Sequence, residues 1–294
     1  MKKISNFLMI FAVTMAMTSC DKQKVSLNPV NDEGSNKVTI KVSSFEKIPF
    51  GASTKAGAKT LSDLCTKVNF AIFDGETKEE SVVQNADDEG FGTISLHLKQ
   101  GVHQIVVIAH NGDASASIST PDKVSFSNKT TQKMTDTFFY YGDITVGKDE
   151  QVYNLNLERA VAMIRFDIAD EIPEQATKMK FYYTGGSSTL NPIDGYGCVN
   201  SKQTEIFDIE AGIKRFEMFT FPHAVNDTLS MTVSAIDVNE NVIKEKSFDE
   251  VPVTVNMITS YSGNFFEGET SSYTMSQIAI NAGGEWAGEK EFEY

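Results

Sequence analysis

Cysteine is nearly absent from this sequence: three residues, Cys20, Cys65 and Cys198, in 294. So few exclude the disulfide framework that staples small secreted domains. With Cys20 set aside, a single Cys65–Cys198 bridge and two unpaired thiols stand as equal readings. Basic residues are also short, at 26 Lys and Arg against 40 Asp and Glu, a net charge of −14. Binding to a nucleic-acid backbone needs clustered cations that neutralise phosphates, so this balance argues against a nucleic-acid partner. No apolar run reaches the roughly 20 residues that a bilayer-spanning helix requires. There is no Gly-x-Ser-x-Gly and no nucleotide-binding glycine loop. No arginine occurs before Arg159, and Trp286 is the single tryptophan.

What is present begins at the N-terminus. Lys2 and Lys3 precede an apolar run, Phe7 to Met17, broken only by Thr14. A basic head, a short apolar middle and small residues at its end make an export signal over residues 1–19. Met17-Thr18-Ser19-Cys20 resembles a bacterial lipobox, in which the chain is cut before the cysteine and the thiol carries a diacylglycerol. Each buried CH₂ of an acyl chain adds about 0.8 kcal/mol, and several chains hold a protein to a membrane. An ordinary cleaved signal with an incidental cysteine is the plainer alternative. Residues 20–36, polar with Pro29 and Gly34, read as a flexible stalk. Loss of residues 1–19 leaves 24 basic against 40 acidic residues, a net charge of −16.

Beyond the stalk the pattern is period-2 alternation. Val38, Ile40 and Val42 alternate with polar residues. Val68, Phe70 and Ile72 run into Asp74-Gly75, a turn signal. Ile94, Leu96 and Leu98 lead to Gly101 and then to "HQIVVIAHNG", a nearly continuous apolar strand. Met179, Phe181 and Tyr183 follow, then Leu229, Met231, Val233 and Ala235, then Val253, Val255, Met257 and Tyr261. Such runs between turn signals predict an all-β sandwich architecture. Short helices are expected near Ser62–Lys67 and Glu171–Thr177. In "VYNLNLERAVAMIRFDIAD" the apolar set is odd-numbered through Leu157 and even-numbered from Ala160. A strand cannot change phase without turning over its buried face. The change at Glu158–Arg159 therefore predicts a hand-off between two sandwiches, 37–157 and 158–267, with a terminal strand segment at 268–294.

Sites of chemistry are few. His97 and His103 flank a turn, but zinc sites want three or four ligands, and only His110 and His223 remain. Asp87, Asp88 and Glu89 lack the alternating spacing of a calcium loop. No metal, cofactor or catalytic site is expected. Arg159 and Arg165 sit in an apolar strand and are expected on its outer face or paired with Glu158 and Asp167. Trp286 reads as a core anchor for the terminal strand. Tyr182, Tyr183, Tyr196 and Trp286 would be the aromatics of a glycan-binding alternative. Asp227-Thr228-Leu229 is a weak match to a glycosylation signal at Thr228.

Taken in order, the lipobox at Cys20, "VNFAIFDGETKE" (Val68–Glu79), "LKQGVHQIVVIAHNG" (Leu98–Gly112), "YYGDITV" (Tyr140–Val146), "LERAVAMIRFDI" (Leu157–Ile168) and "NMITSYSGNFF" (Asn256–Phe266) resemble the fimbrillin family, the type V pilus subunits of gut and oral Gram-negative anaerobes. The resemblance implies two tandem transthyretin-like Greek-key β-sandwiches. It also implies assembly by strand exchange, in which a protease removes one subunit's first strand and a neighbour's C-terminal strand fills the groove. In the best-known branch that cut follows an arginine. Here the loop Glu46–Leu64 has Lys47, Lys55 and Lys59 but no arginine, which favours the anchor branch, whose members keep the first strand. The implied protein is an outer-membrane, surface-exposed lipoprotein within a fimbrium. Its partners would be other pilus subunits, the membrane through its lipid, and host or bacterial surface ligands in adhesion. The segment carrying Ile278, Ile280, Trp286, Phe292 and Tyr294 would be its donor strand, or would complete its own second sandwich. A pilus tip adhesin and a glycan-binding lipoprotein of a polysaccharide uptake system are the alternatives.

Overall fold

Alternation becomes strands almost throughout a computed structural model, which describes residues 34–45, 60–112, 116–126, 134–267, 276–278 and 286–294. Cys20, the signal segment, most of the stalk, residues 46–59 and Ile280 lie outside the described residues. The chain opens with β1 (Ser35–Phe45), a single helical turn α1 (Leu61–Leu64), β2 (Lys67–Asp74), β3 (Thr77–Asn85), β4 (Thr93–Lys99) and β5 (Gly101–His110). Short β6 (Ser117–Thr120) and β7 (Lys123–Ser125) precede the longer β8 (Thr137–Val146) and β9 (Gln151–Arg159). Then come β10 (Ala162–Ile168), β11 (Lys178–Gly186), β12 (Thr189–Asn191), β13 (Tyr196–Gly197), β14 (Ser201–Asp208) and β15 (Arg215–Thr220). The last are β16 (Asn226–Ile236), β17 (Val242–Thr254), β18 (Met257–Gly263), β19 (Ser276–Ile278) and β20 (Gly288–Glu293).

The protein is all-β and its sheets stack as sandwiches. In the first, β4-β1-β9 faces β3-β2-β5-β8, and the two sheets meet only where Phe138 and Phe139 pair with Arg159 and Glu158. Inward residues of both close one core: Val38, Ile40 and Val42 of β1 with Phe70, Ile72, Ile105 and Val107 opposite. In the second, β15-β10-β18-β20-β19 faces β14-β11-β16-β17 around Phe166, Phe181, Phe216, Met231 and Tyr261. A third apolar cluster covers the outer face of β2 and β5. Ala71, Phe73, Val106 and Ile108 pack there with Val124, Val161, Leu190 and Phe221. This is why β5 reads as a continuous apolar run: both of its faces are buried, as they are in β2. A small sheet, β13-β12-β7-β6, caps that cluster.

Two expectations need correction. Glu171–Thr177 is not helical; one bond, Ala176 N–H to the Pro173 carbonyl at 2.9 Å, makes an isolated turn. The alternating run from Val253 to Tyr261 is two strands, not one. The chain turns at Asn256, whose φ of 60° lies in the left-handed region that asparagine tolerates better than most residues. The predicted change of phase coincides with the passage from β9 to β10, where Ala160, Val161 and Ala162 are buried in succession.

Candidate functional site

Three regions carry the distinctive geometry: the first strand, the last strand and the seam between the sheets. β1 is no edge strand. It pairs antiparallel with β4 (Ile40 opposite Ile94) and parallel with β9 (Ile40 opposite Tyr153), so its removal would separate β4 from β9. Val38, Ile40, Val42 and Phe45 all point into the core. Apolar side chains of that size stabilise by roughly 1.5–3 kcal/mol apiece when buried.

At the other end, β20 lies parallel to β18, from Met257 opposite Gly288 to Ser262 opposite Glu293. Ser276–Ile278 of β19 pair antiparallel with its outer edge. Phe292 stacks on Tyr261, with ring centres 5.0 Å apart and planes 19° from parallel. Tyr294 stacks on Phe166 at 4.5 Å and donates its hydroxyl to the Asp167 carbonyl at 3.0 Å. Burial, with Asp170 and Asp167 nearby, pushes the Tyr294 hydroxyl well above its ordinary pKa, so it remains a donor. A Cβ on Gly263 would strike the Tyr294 backbone, so glycine is needed for the tail to approach this closely. Asp170 fixes the turn after β18 by accepting N–H bonds from Phe265, Phe266 and Glu267 at 2.7–2.9 Å. Burial raises its pKa, but those three donors outweigh it and hold the carboxyl below the usual range.

Between the ends lies Arg159. Its guanidinium makes a two-point pair with Asp136 at 2.7 and 2.8 Å and donates to the Asn256 side-chain oxygen at 2.7 Å. The guanidinium carbon lies over the Phe138 ring, 4.6 Å from its centre, and over the Trp286 ring at 4.1 Å. A cation over an aromatic face is a favourable arrangement, and more so when water is excluded. Arg159 is therefore neither on an outer face nor paired with Glu158. It joins β9, the segment before β8, the β17–β18 turn and the last segment. Cys65 lies in the same region; burial and the Asp136 charge push its thiol far up, with Arg159 opposing, so it is inert. Arg165 pairs with Glu217 and with Glu289 of β20, while Asp167 takes Arg215 instead. No local pattern marks Asp136 as its partner. Asn256, an asparagine between two strand patterns, was the one available signal for a turn.

The remaining residues of interest do not converge. His103 has its ring nitrogens 2.7 Å from Glu79 and 2.8 Å from the Lys99 carbonyl, and His97 is on β4 in the opposite sheet. His110 is buried and accepts an N–H bond from Gly112; burial and Lys67 push its pKa down to about 4. Tyr183 is enclosed and donates to Glu205 at 2.7 Å, so it cannot serve a surface glycan platform with Tyr182, Tyr196 and Trp286. Thr228 is exposed on β16. Cys65 and Cys198 are unpaired.

The described residues thus form sandwiches in which β1 lies in mid-sheet and β20 is docked on β18. The sequence pattern of the fimbrillin-A-associated anchor proteins Mfa1 and Mfa2 matches residues 31–280, and the chain belongs to that family. It is thus a protein of the fimbrial, adhesin type. Among solved structures it is similar to an adhesin candidate from Bacteroides ovatus, at 14% identity and a TM-score of 0.50, covering 80% of this chain and 88% of that one. At that identity the likeness speaks for the fold alone. A polysaccharide-binding candidate from Bacteroides thetaiotaomicron gives 12% identity and 0.49, covering 71% and 79%. The fimbrial anchor protein Mfa2 from Porphyromonas gingivalis gives 10% and 0.40, covering 72% and 82%. Comparison with curated protein sequences finds no match.

Proposed function

We propose that this protein is an outer-membrane lipoprotein that ends and tethers a fimbrium as an anchor-type subunit, and that it performs no catalysis. The observation that carries the reading is the match to an anchor-protein family across residues 31–280. The acylated thiol of Cys20 is the mooring, and residues 20–36 lift the sandwiches off the membrane. The halves 37–157 and 158–267 act as two domains, and other fimbrial subunits are the partners. The arginine-free loop Glu46–Leu64 and the central place of β1 support retention of the first strand. A cut in that loop would also sever the subunit from its own lipid.

The last segment, with Trp286, Phe292 and Tyr294, serves as this subunit's own closing strand. Donation of the segment from Ile278 and Ile280 to Tyr294 would require β20 to leave β18 and expose Tyr261 and Phe166. Thr228, exposed beside Asp227, is the proposed glycosylation position. Membrane fractionation tests the mooring. Cys20→Ser should appear in the soluble fraction or as an unprocessed precursor; a variant that fractionates and migrates like the wild type would refute it.

A further inference from the structure

The chain enters each sandwich on one strand and runs out of it on that strand's parallel neighbour. β1 opens the first sandwich and β9 ends it, paired from Val38 opposite Gln151 to Phe45 opposite Leu157. β10 opens the second and β18 runs out of it, paired from Met163 opposite Ile258 to Ile168 opposite Gly263. Only Ala160 and Val161, both buried, stand between β9 and β10.

This connectivity fixes how tension acts. A pull on the chain before Ser35 draws on the N-terminal end of β1. A pull on the second sandwich draws on the C-terminal end of β9. Parallel neighbours pulled at opposite ends must slide past each other, so the evenly spaced bonds of a parallel ladder are loaded together. In an antiparallel pair the same two ends would lie side by side, and the ladder would peel open bond by bond. β1 is held on its other side by β4, from Ser35 opposite Lys99 to Lys41 opposite Thr93. Where the β1–β9 register shifts between Val42 and Ser44, the Ser43 hydroxyl donates to the Leu155 carbonyl at 3.1 Å and bridges the irregularity. In the second sandwich the two exits are tied together. Ala169 N–H donates to the Gly263 carbonyl at 2.8 Å, and Asp170 accepts from the three residues Phe265, Phe266 and Glu267.

We propose that the parallel pairs β1–β9 and β10–β18 are shear clamps in series, through which the protein transmits tension between its N-terminal tether and a load on its C-terminal half. The inference rests on the reading of Cys20 as a lipid mooring, which sets the end at which the membrane pulls. It gives the central place of β1 a use besides stability, since a strand bonded on one side alone would slide out under less force. Resistance to force follows the rate of unfolding under load, not the equilibrium free energy, so direction of pull is the variable that reveals it.

Single-molecule force spectroscopy on the chain from Cys20 to Tyr294 tests this. One handle is attached to the Cys20 thiol and the other to a cysteine added after Tyr294. Cys198→Ser leaves buried Cys65 as the only other thiol. The first sandwich should open in one event that releases residues 35–159, roughly 400 Å of chain at 3.3–3.6 Å per residue. The second handle is then moved to Lys148→Cys, in the exposed turn at the N-terminal end of β9. Pulling there parts β1 and β9 from one end, and the opening force should fall to about half. Equal force in the two directions, or stepwise opening of the first sandwich along the chain axis, would overturn the first clamp. Opening of the second sandwich at the force of the Lys148→Cys control would overturn the series. If the forces are equal while Cys20→Ser still leaves the membrane fraction, the clamps fall and the mooring stands. If the forces differ but Cys20 carries no lipid, the mooring falls and with it the assignment of membrane tension.

Discussion

The guanidinium carbon of Arg159, at the end of β9, lies 4.1 Å from the centre of the Trp286 ring in the last segment of the chain. The last segment is thus held both by β18 and by the end of β9. Arg159→Leu should cost about 3 kcal/mol, because it strands Asp136 with little solvent to replace its partner. Denaturant unfolding measures this, and an unchanged midpoint would contradict the arrangement. The single tryptophan reports locally: its emission should change in Arg159→Leu even under native conditions.

Deleting residues 286–294 should expose the ring faces of Tyr261 and Phe166 and the edge of β18. A poorly folded or aggregating product is expected, since bare edges pair with other chains. The double substitution Phe292→Ser with Tyr294→Ser should lower stability by several kcal/mol, about 3 at most for each of these half-buried rings. A truncated protein that folds normally but no longer co-purifies with fimbriae would instead mark the tail as a donor strand.

Acid should destabilise the protein in two stages. Unfolded His110 takes up a proton near pH 6.5, but the buried ring stays neutral until about 4, so the unfolded state binds more protons in between. Stability therefore falls as pH drops from 6.5 to 4, by about 3 kcal/mol from this residue. Further down, Asp170 and Asp227, both held below their usual range, lose their contributions as they protonate. His110→Phe should flatten the slope between pH 6.5 and 4 in urea unfolding measured at each pH. A slope identical to wild type would show that His110 is not buried neutral.

Much of this architecture was legible because burial in a sandwich writes itself as period 2. The inward faces of β1, β2, β11 and β16 were plain in that pattern. The unbroken run of β5 was a clue to a second covered face, although the pattern alone could not say what covered it. The β17–β18 corner was hidden because apolar alternation continues through the turn at Asn256. The seam was hidden for a different reason. Asp136 and Trp286 are 150 residues apart in number yet share one arginine, and no local period records such a meeting. A charge in an apolar strand is normally solvated or paired nearby, so the pattern alone points Arg159 to the surface or to Glu158.

The most direct test of the central claim is the intact mass of the protein recovered from surface fimbriae. An anchor that keeps its first strand predicts one polypeptide beginning at Cys20, with the added mass of acyl chains, and continuing through β1. A polypeptide beginning near Ala56 or Thr60, without lipid, would show that β1 is removed and that this is a processed shaft subunit.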